Sequence, residues 1–439
     1  MALFPQDALN PGVGKRELFG WAMYDFANSG YTTVVLTAVF SAYFVGGVAG
    51  AAPWATLAWT SALALSSLVV MLTMPALGAY ADLRAAKKRL LLLSTLGCVV
   101  STAALAGAGP GDVVWAVVEI MLSNVFYSYG ESLIAAFLPE LAQPASIGRV
   151  SGWGWSFGYF GGMLTLGLSL AYVLHAQAQG IAAAQYVPVT MLITAAIYGL
   201  ASIATFVLLK ERALPQASAA VRETGPRASL ARLQTTWRQA RRFRDFSALL
   251  TCAVAYQAGI SVVIALAAVY AQQVLQFSQT QTMALIFIVN IAAAVGAFCW
   301  GYAQDSIGHR PALGIALAGW VVMTVMAGLA TGQGLFWAAA VLAGLCMGSS
   351  QSAGRALAGV FSPAAQRAEF YGLWTFAVRL SAILGPMTYG LVTLLTDGNH
   401  RLAIGSTGVF FLLGLALLAR VNVARGIAAA AGAGGPAAR

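Results

Sequence analysis

The sequence predicts an all-α integral membrane protein with twelve transmembrane helices in two pseudo-symmetric six-helix halves. Three observations predict this fold: a very low charge, twelve long apolar runs, and a short motif that recurs about 220 residues further on. Of the 439 residues, 59% are hydrophobic and only 9% are charged, whereas a soluble chain carries about 25% charged residues. A surface so poor in charge cannot face water over most of its area, so we expect it to face a lipid bilayer.

The apolar runs have the length of membrane-spanning helices. We place spans 1 to 12 at 18–45, 54–81, 89–108, 113–138, 150–174, 186–209, 246–274, 280–304, 311–331, 335–360, 368–395 and 402–421. A helix needs about 20 apolar residues to cross the hydrocarbon core, and only helices satisfy their own backbone groups in lipid. The runs are too continuous for strands of a membrane barrel, which alternate over about ten residues.

The spans divide the chain into five segments. They are a cytoplasmic N-terminus at 1–17, an N-terminal half at 18–210, a cytoplasmic linker at 211–245, a C-terminal half at 246–421 and a disordered cytoplasmic tail at 422–439. In the linker, Leu230, Leu233, Trp237 and Phe243 lie near one helical face, which predicts a helix in the membrane interface. A solvated basic linker is the alternative. The tail is rich in alanine and glycine, a composition typical of disorder.

The basic residues set the orientation. Those expected at the inner side include Lys15, Arg16, Arg84, Lys87, Lys88, Arg89, Arg149, Lys210, Arg212, Arg310, Arg355, Arg367, Arg420 and Arg425. Only Arg401 falls in an outer loop, and only Arg379 lies deep in a span. Cytoplasmic loops carry the excess of Lys and Arg, so we expect both termini in the cytoplasm and a bacterial inner membrane. The net charge of +10 therefore reflects the orientation of the chain in the membrane, and we expect no nucleic-acid partner.

The two halves echo each other in sequence. "GAYADLRAAKKRL" after span 2 and "GYAQDSIGHRP" after span 8 each have a glycine, an aspartate four residues later, and then basic residues. The predicted gating motif comprises Gly78, Asp82, Arg84, Gly301, Asp305 and Arg310. A second echo matches Pro144, Arg149 and Gly152 with Pro363, Arg367 and Gly372. Such parallel repeats of six spans are typical of secondary transporters.

These motifs and the layout of six plus six spans resemble the major facilitator superfamily. "WAMYDFANSGY", "GRVSGWGWSFGYFGG" and "AEFYGLWTFAVRLSAILGP" resemble the branch of the fungal vacuolar amino-acid effluxers and their bacterial relatives. The resemblance implies the major facilitator fold, a central cavity lined by spans 1, 4, 7 and 10, and the movement of a small solute. The chain departs from the superfamily signature at Leu83 and Ala85, where Arg and Gly are usual.

Span 1 carries a polar stripe near its beginning. At about 100° per residue, Trp21, Tyr24, Asp25, Asn28, Tyr31 and Thr32 fall within an arc of roughly 120°. A charged aspartate in a span costs about 2.5 kcal/mol or more, so it should face protein or a watery cavity. Asp25 is therefore a candidate for proton handling. The alternative is that Asp25 only pairs with a basic residue near the inner surface.

Span 4 repeats the pattern with two carboxylates. Glu119, Ser123, Asn124, Tyr127 and Glu131 fall within about 140°, and the two glutamates lie about 18 Å apart along the helix. Their spacing suits two successive proton-binding positions along a path through the span. Hydrogen bonds between helices are the alternative role of Glu119 and Glu131.

Polar residues of the second half fall on spans 7, 10 and 11. Span 7 carries Gln257, span 10 carries Gln351 and Arg355, and Arg379 lies midway along span 11. Arg379 could pair with a cavity carboxylate, meet a carboxylate of the substrate, or simply hold helices together.

Asp82 and Asp305 lie at helix C-termini, where a carboxylate opposes the dipole of its own helix. We expect each to be held by nearby basic residues or by the N-terminus of a neighbouring helix, as a latch between conformational states.

Together these features predict a secondary active transporter that exports a small organic solute, such as an amino acid, in exchange for protons. The predicted substrate and proton path comprises Asp25, Asn28, Tyr31, Glu119, Asn124, Tyr127, Glu131, Gln257, Gln351, Arg355 and Arg379. A proton-driven importer and a non-transporting receptor or scaffold are the alternatives. We expect a monomer in the lipid bilayer with a small-molecule substrate, no cofactor, no metal and no enzymatic activity, since the sequence shows no phosphate-binding loop and no metal-ligand spacing.

Overall fold

The computed structural model describes residues 4–50, 52–213, 243–277, 279–397 and 399–432. Within these ranges, twelve helices are long and apolar enough to cross a membrane, and they are labelled α1 to α12 in chain order. The first six are Lys15–Val48, Ala55–Arg84, Lys87–Ala104, Val113–Ala135, Ile147–Ala178 and Ala183–Leu208. The second six are Arg244–Leu275, Gln279–Ile307, His309–Leu329, Gln333–Val360, Arg367–Leu395 and His400–Leu418. The predicted all-α fold with twelve spans is confirmed.

The two sets of six helices pack in the same way. In the first half α1 packs on α5 and α6, and α3 packs on α4; in the second half α7 packs on α11 and α12, and α9 packs on α10. The helix pairs that join the halves, α2 with α11 and α5 with α8, are also equivalent. This repetition follows the sequence echo and gives the molecule its pseudo-symmetry.

The halves approach most closely at one end of the bundle. We call this the basic end, because Lys87, Arg149 and Arg367 lie at the starts of α3, α5 and α11 there. A Cβ atom on Gly78 of α2 would collide with the carbonyl oxygen of Ala368 on α11. Glycine at such a contact lets two helix backbones touch.

Helix α1 is irregular beyond its first 16 residues. An α-helical part, Lys15–Gly30, is followed by π-helical turns at Tyr31–Ala38 and Phe44–Val48. Thr33 and Thr37 donate side-chain hydrogen bonds of 2.9 Å to the carbonyl oxygens of Ser29 and Thr32. Hydroxyl groups that compete for backbone carbonyls loosen a helix. The regular helix assumed for the polar stripe therefore ends at Gly30.

Most of the linker lies outside the described residues, whereas the first part of the tail is described. The interfacial helix predicted within 211–245 falls mostly on residues 214–242, which lie outside the described ranges. The tail contains a helix, α13, at Val423–Gly432, so the prediction of disorder is wrong for these residues. The physical reason is that alanine is the best helix former, and Asn422 caps the helix by accepting a 3.0 Å hydrogen bond from the Arg425 backbone N–H.

Helix α2 ends at the unusual residue of the gating motif. Ala85 has φ 49° and ψ 49°, the left-handed conformation that favours glycine. The Ala86 N–H closes the turn by donating to the Ala81 carbonyl at 2.9 Å. The residue that departs from the superfamily signature thus occupies a position where a side chain costs conformational energy.

We expect Ala85→Gly to raise the free energy of unfolding by up to about 1 kcal/mol, because it relieves the left-handed strain. The matched control is Ala86→Gly, since Ala86 has a negative φ of −117° and gains nothing from glycine. Thermal unfolding of the purified protein in detergent would measure both. A lower melting temperature for Ala85→Gly than for Ala86→Gly would contradict this expectation.

Candidate functional site

A buried ion pair joins the two halves, nearer to the basic end than to the opposite end. Asp25 on α1 and Arg355 on α10 approach to 2.6 Å, and their side chains are only 10% and 7% exposed. Arg355 also donates to the Ser151 side chain at 3.1 Å and to the Ser151 carbonyl oxygen at 2.7 Å. Its guanidinium carbon lies 4.9 Å from the ring centroid of Trp21 and 5.2 Å from that of Trp155. The charge is thus paired, hydrogen-bonded and stacked, which a buried arginine requires.

A second ion pair between the halves is more accessible. Arg379 on α11 donates to Glu131 on α4 at 2.8 Å, with side chains that are 12% and 36% exposed. The Arg379 guanidinium lies 5.8 Å from the Tyr127 ring centroid, and Tyr127 stacks on Tyr31 at 5.1 Å. The Nε atom of Arg379 is buried without a hydrogen-bond partner among the described residues. Arg379 therefore keeps a free donor beside the pair.

Each gating-motif aspartate binds the N-terminus of a helix from the other half. Asp82 at the end of α2 accepts a 2.9 Å hydrogen bond from the Glu369 backbone N–H in the first turn of α11. Asp305 at the end of α8 accepts bonds of 2.9 and 3.1 Å from the Gly148 and Arg149 backbone at the start of α5. The Arg149 side chain adds a 2.8 Å ion pair to Asp305. Carboxylates are stabilised at helix N-termini, so two equivalent contacts, which we call the latches, join the halves at the basic end.

The basic residues of the gating motif do not take part in these latches. Arg84 is exposed, and it makes no hydrogen bond or ion pair within the described ranges. Arg310 donates to the Ala419 carbonyl oxygen at 3.0 Å, within its own half. The gating role predicted for Arg84 and Arg310 therefore does not match their positions in this conformation. The physical reason is that backbone N–H groups of the neighbouring helix already satisfy both aspartates.

Several predicted path residues bond within one half. Asn124 donates to the Ser66 hydroxyl at 2.6 Å, and Gln257 on α7 donates to Gln351 on α10 at 2.8 Å. The Tyr31 hydroxyl lies 2.9 Å from that of Ser123. These bonds give each group a structural partner next to the inter-half pairs.

The polar stripe of span 1 does not face one surface. Trp21 donates to the Ile134 carbonyl oxygen at 2.9 Å, and the Tyr24 hydroxyl lies 3.0 Å from that of Thr95 on α3. Asp25, with the ring of Trp21 beside it, contacts Arg355 of the other half. Asn28 is buried. Glu119 is half-buried, lies about 18 Å along α4 from Glu131, and makes no hydrogen bond within the part of the chain described.

Sequence reasoning missed the partners that hold the site together. Ser151 and Trp155 belong to the stretch "GRVSGWGWSFGYFGG", which the sequence connects only with the family resemblance. Glu140 after α4 forms an ion pair with the buried Lys87, and Arg367 at the start of α11 lies 3.7 Å from the same carboxylate. The echo between Arg149 and Arg367 was the available signal, because both residues bridge the halves at equivalent helix starts.

The inter-half contacts of Asp25, Asp82, Glu131 and Asp305 share one location. They lie between the level of Glu131–Arg379 and the basic end. Glu119 lies towards the opposite end, only six residues from the start of α4. The arrangement therefore clamps the halves together at one end of the bundle. Among the described residues, no group of three or more His, Cys, Asp or Glu could hold a metal ion.

We expect Arg355→Gln and Asp25→Asn each to lower the free energy of unfolding by about 3–5 kcal/mol, because each removes one partner of a buried ion pair. The double variant should lose clearly less than the sum of the two, since no unpaired charge remains. Thermal unfolding of the four proteins in detergent measures the coupling. Additive losses would show that the two side chains do not stabilise one another.

The chain matches the sequence model of the family described as "Vacuole effluxer Atg22 like" over residues 58–431. It is 26% identical over 411 residues to the uncharacterized MFS-type transporter YxiO of Bacillus subtilis strain 168, covering 91% of this chain and 94% of that protein. It is 27% identical over 208 residues to autophagy-related protein 22-1 of Penicillium rubens, covering 44% of this chain and 35% of that protein.

Solved structures with the same fold include transporters. The human organic anion transporter MFSD10 has a TM-score of 0.74 at 16% identity, with 94% of this chain and 100% of that chain covered. The proton:xylose symporter XylE has a TM-score of 0.69 at 15% identity, with 92% and 94% covered. The chain is thus a multi-pass integral membrane protein that belongs to the vacuole effluxer Atg22-like family of major facilitator superfamily transporters.

Proposed function

We propose that the protein is a secondary active transporter that exports a small zwitterionic solute, of which an amino acid is the simplest, in exchange for protons. The observation that supports this proposal is that two ion pairs join the halves, namely Asp25–Arg355 and Glu131–Arg379. Their charges are separated when the halves move apart, so a proton or a charged solute can drive the movement by replacing a partner.

The proposed orientation indicates which side of the membrane the closed end of the bundle faces. With both termini in the cytoplasm, the basic end faces inward. The latches at Asp82 and Asp305 and both ion pairs then close the inner side, and Glu119 lies on the outer side of the path. The proposed cycle opens this inner side and closes the outer side, in a monomer and in a bacterial inner membrane.

The Glu131–Arg379 pair is the proposed solute and proton site. Glu131 is 36% exposed, against 10% for Asp25, so it is the carboxylate that a solute or a proton reaches first. A zwitterion offers a carboxylate to Arg379 and an ammonium group to Glu131, which replaces the charges that each side chain loses. The unpartnered Nε of Arg379 and Oδ1 of Asn124 are further groups for hydrogen bonding to a polar solute.

The Asp25–Arg355 pair is the proposed lock of the cycle. Both side chains are buried, and Trp21 and Trp155 cover the guanidinium. Separation of buried charges is costly without replacement partners. Protonation of Asp25 would remove the attraction, so the lock opens when the site exchanges a proton.

The export direction is supported by the family description, which names vacuole effluxers. Efflux from a vacuole and export from a bacterium differ in the compartment that is emptied. The direction of solute flux therefore needs its own measurement.

We expect Glu131→Gln to reduce proton-driven solute movement by about tenfold or more, because coupling energies of 1–3 kcal/mol are typical between sites. Proteoliposomes loaded with labelled amino acids and subjected to a pH jump measure this movement. Asp25→Asn and Glu119→Gln should also reduce it, whereas Asp7→Asn, at an exposed position, should behave like the unmodified protein.

Normal transport by all three carboxylate variants would contradict the proton coupling. Flux of solute in the same direction as the protons would replace export with proton-driven import. Absence of both solute binding and any change of conformation would favour a receptor or scaffold instead.

A further inference from the structure

A cavity of about 660 Å³ lies at the basic end of the second half. It is formed where α7 and α9 begin, where α12 ends and where α13 follows. Four arginines line it, namely Arg244, Arg310, Arg420 and Arg425, together with Asn422 and small apolar side chains. None of its lining residues belongs to either inter-half ion pair, so the site described above does not account for it.

The cavity is strongly positive. No acidic residue is part of its described lining. The nearest carboxylate, that of the buried Asp245, accepts bonds of 2.6 and 2.8 Å from Arg425 and 2.8 Å from the Asn422 backbone N–H. These bonds satisfy Asp245 and fix the start of α13. The charges of Arg244, Arg310 and Arg420 have no carboxylate partner among the described residues.

Helix dipoles add to the positive potential. The N-termini of α7, α9 and α13 lie at Arg244, His309 and Val423, which are lining residues of the cavity or their immediate neighbours. The partial positive charge of a helix N-terminus favours anions. Arg310 meanwhile neutralises the opposing end of α12 by donating to the Ala419 carbonyl. Three helix N-termini and four arginines thus lie at or beside one cavity, a combination that favours an anion.

The surroundings of the cavity favour a membrane lipid as the source of the anion. The cavity lies where transmembrane helices leave the bilayer, and the exposed apolar side chains of Ile307 and Ile427 flank Arg310 and Arg425 in the chain. Helix α13 is held close to the bundle because Gly426 packs against the Phe361 ring. Basic pockets between helices at the membrane surface suit phosphate-bearing lipid headgroups. We propose that this cavity binds the phosphate of an anionic lipid headgroup.

Lipid binding to the purified full-length protein tests this proposal. Native mass spectrometry and thermal unfolding would be followed while phosphatidylglycerol or cardiolipin is added in detergent, with phosphatidylcholine and inorganic phosphate as separate arms. We expect the anionic lipids to bind and to raise the melting temperature. The variant Arg310→Gln/Arg420→Gln should bind them roughly thirtyfold more weakly, because each arginine near a membrane surface contributes about 1 kcal/mol.

Arg401→Gln is the matched control. Arg401 is also exposed and also donates to a carbonyl oxygen, that of Ala330 at 2.9 Å, but it lies at the opposite end of the bundle. The Arg401→Gln variant should bind the anionic lipids as tightly as the unmodified protein does. The single variant Arg420→Gln, whose side chain makes no described bond, gives a second measurement if the double variant does not fold.

Equal binding of phosphatidylcholine, stabilisation by inorganic phosphate alone, or equal losses in the Arg401 and Arg310/Arg420 variants would each overturn the proposal. None of these outcomes depends on solute transport, so the proposal stands or falls separately from the proposed function.

Discussion

The ion pair between Asp25 and Arg355 is the interaction on which the rest of the structure depends. It connects positions 330 residues apart in the chain and buries two opposite charges at the contact between the halves. Opposite charges in a medium of low dielectric constant attract strongly, and either one left alone is very costly. The pair therefore fixes how α1, α5 and α10 meet, and it makes the closed basic end a defined state.

The other contacts between the halves follow from this constraint. Once α1 and α10 are joined, α2 lies on α11 and α5 lies on α8, close enough for the helix-terminal aspartates to bind the opposite helix N-termini. The latches join aspartate side chains to backbone N–H groups, and Arg149 adds an ion pair to one of them. Asp25–Arg355 and Glu131–Arg379 instead join two side chains.

The sequence predicted more of the fold than of the site. Apolar runs define twelve helices because lipid imposes their length, and the echo of Gly78 and Asp82 revealed the pseudo-symmetry. Charge identified Glu131 and Arg379 as functional candidates, since charges within spans are costly. Periodicity could not show that Asp25 pairs with Arg355, because helix spacing carries no information about partners in another half.

Local chemistry explains the remaining differences. Threonine hydroxyls turn part of α1 into a π-helix, which shifts the faces that a regular helix would present. Residues 423–432 of the tail are helical because alanine favours helix, although the composition of the tail is typical of a disordered segment.

Distances between spin labels test most directly whether the inter-half ion pairs hold the basic end closed. Labels at Val207 and Ile307, exposed near the basic end, and at Leu57 and Leu402, exposed near the opposite end, can be measured in a cysteine-free background by double electron–electron resonance. Upon introduction of Arg355→Gln, the distance at the basic end should lengthen while the distance at the opposite end shortens. If both distances stay unchanged, the ion pairs do not control which side of the transporter is open.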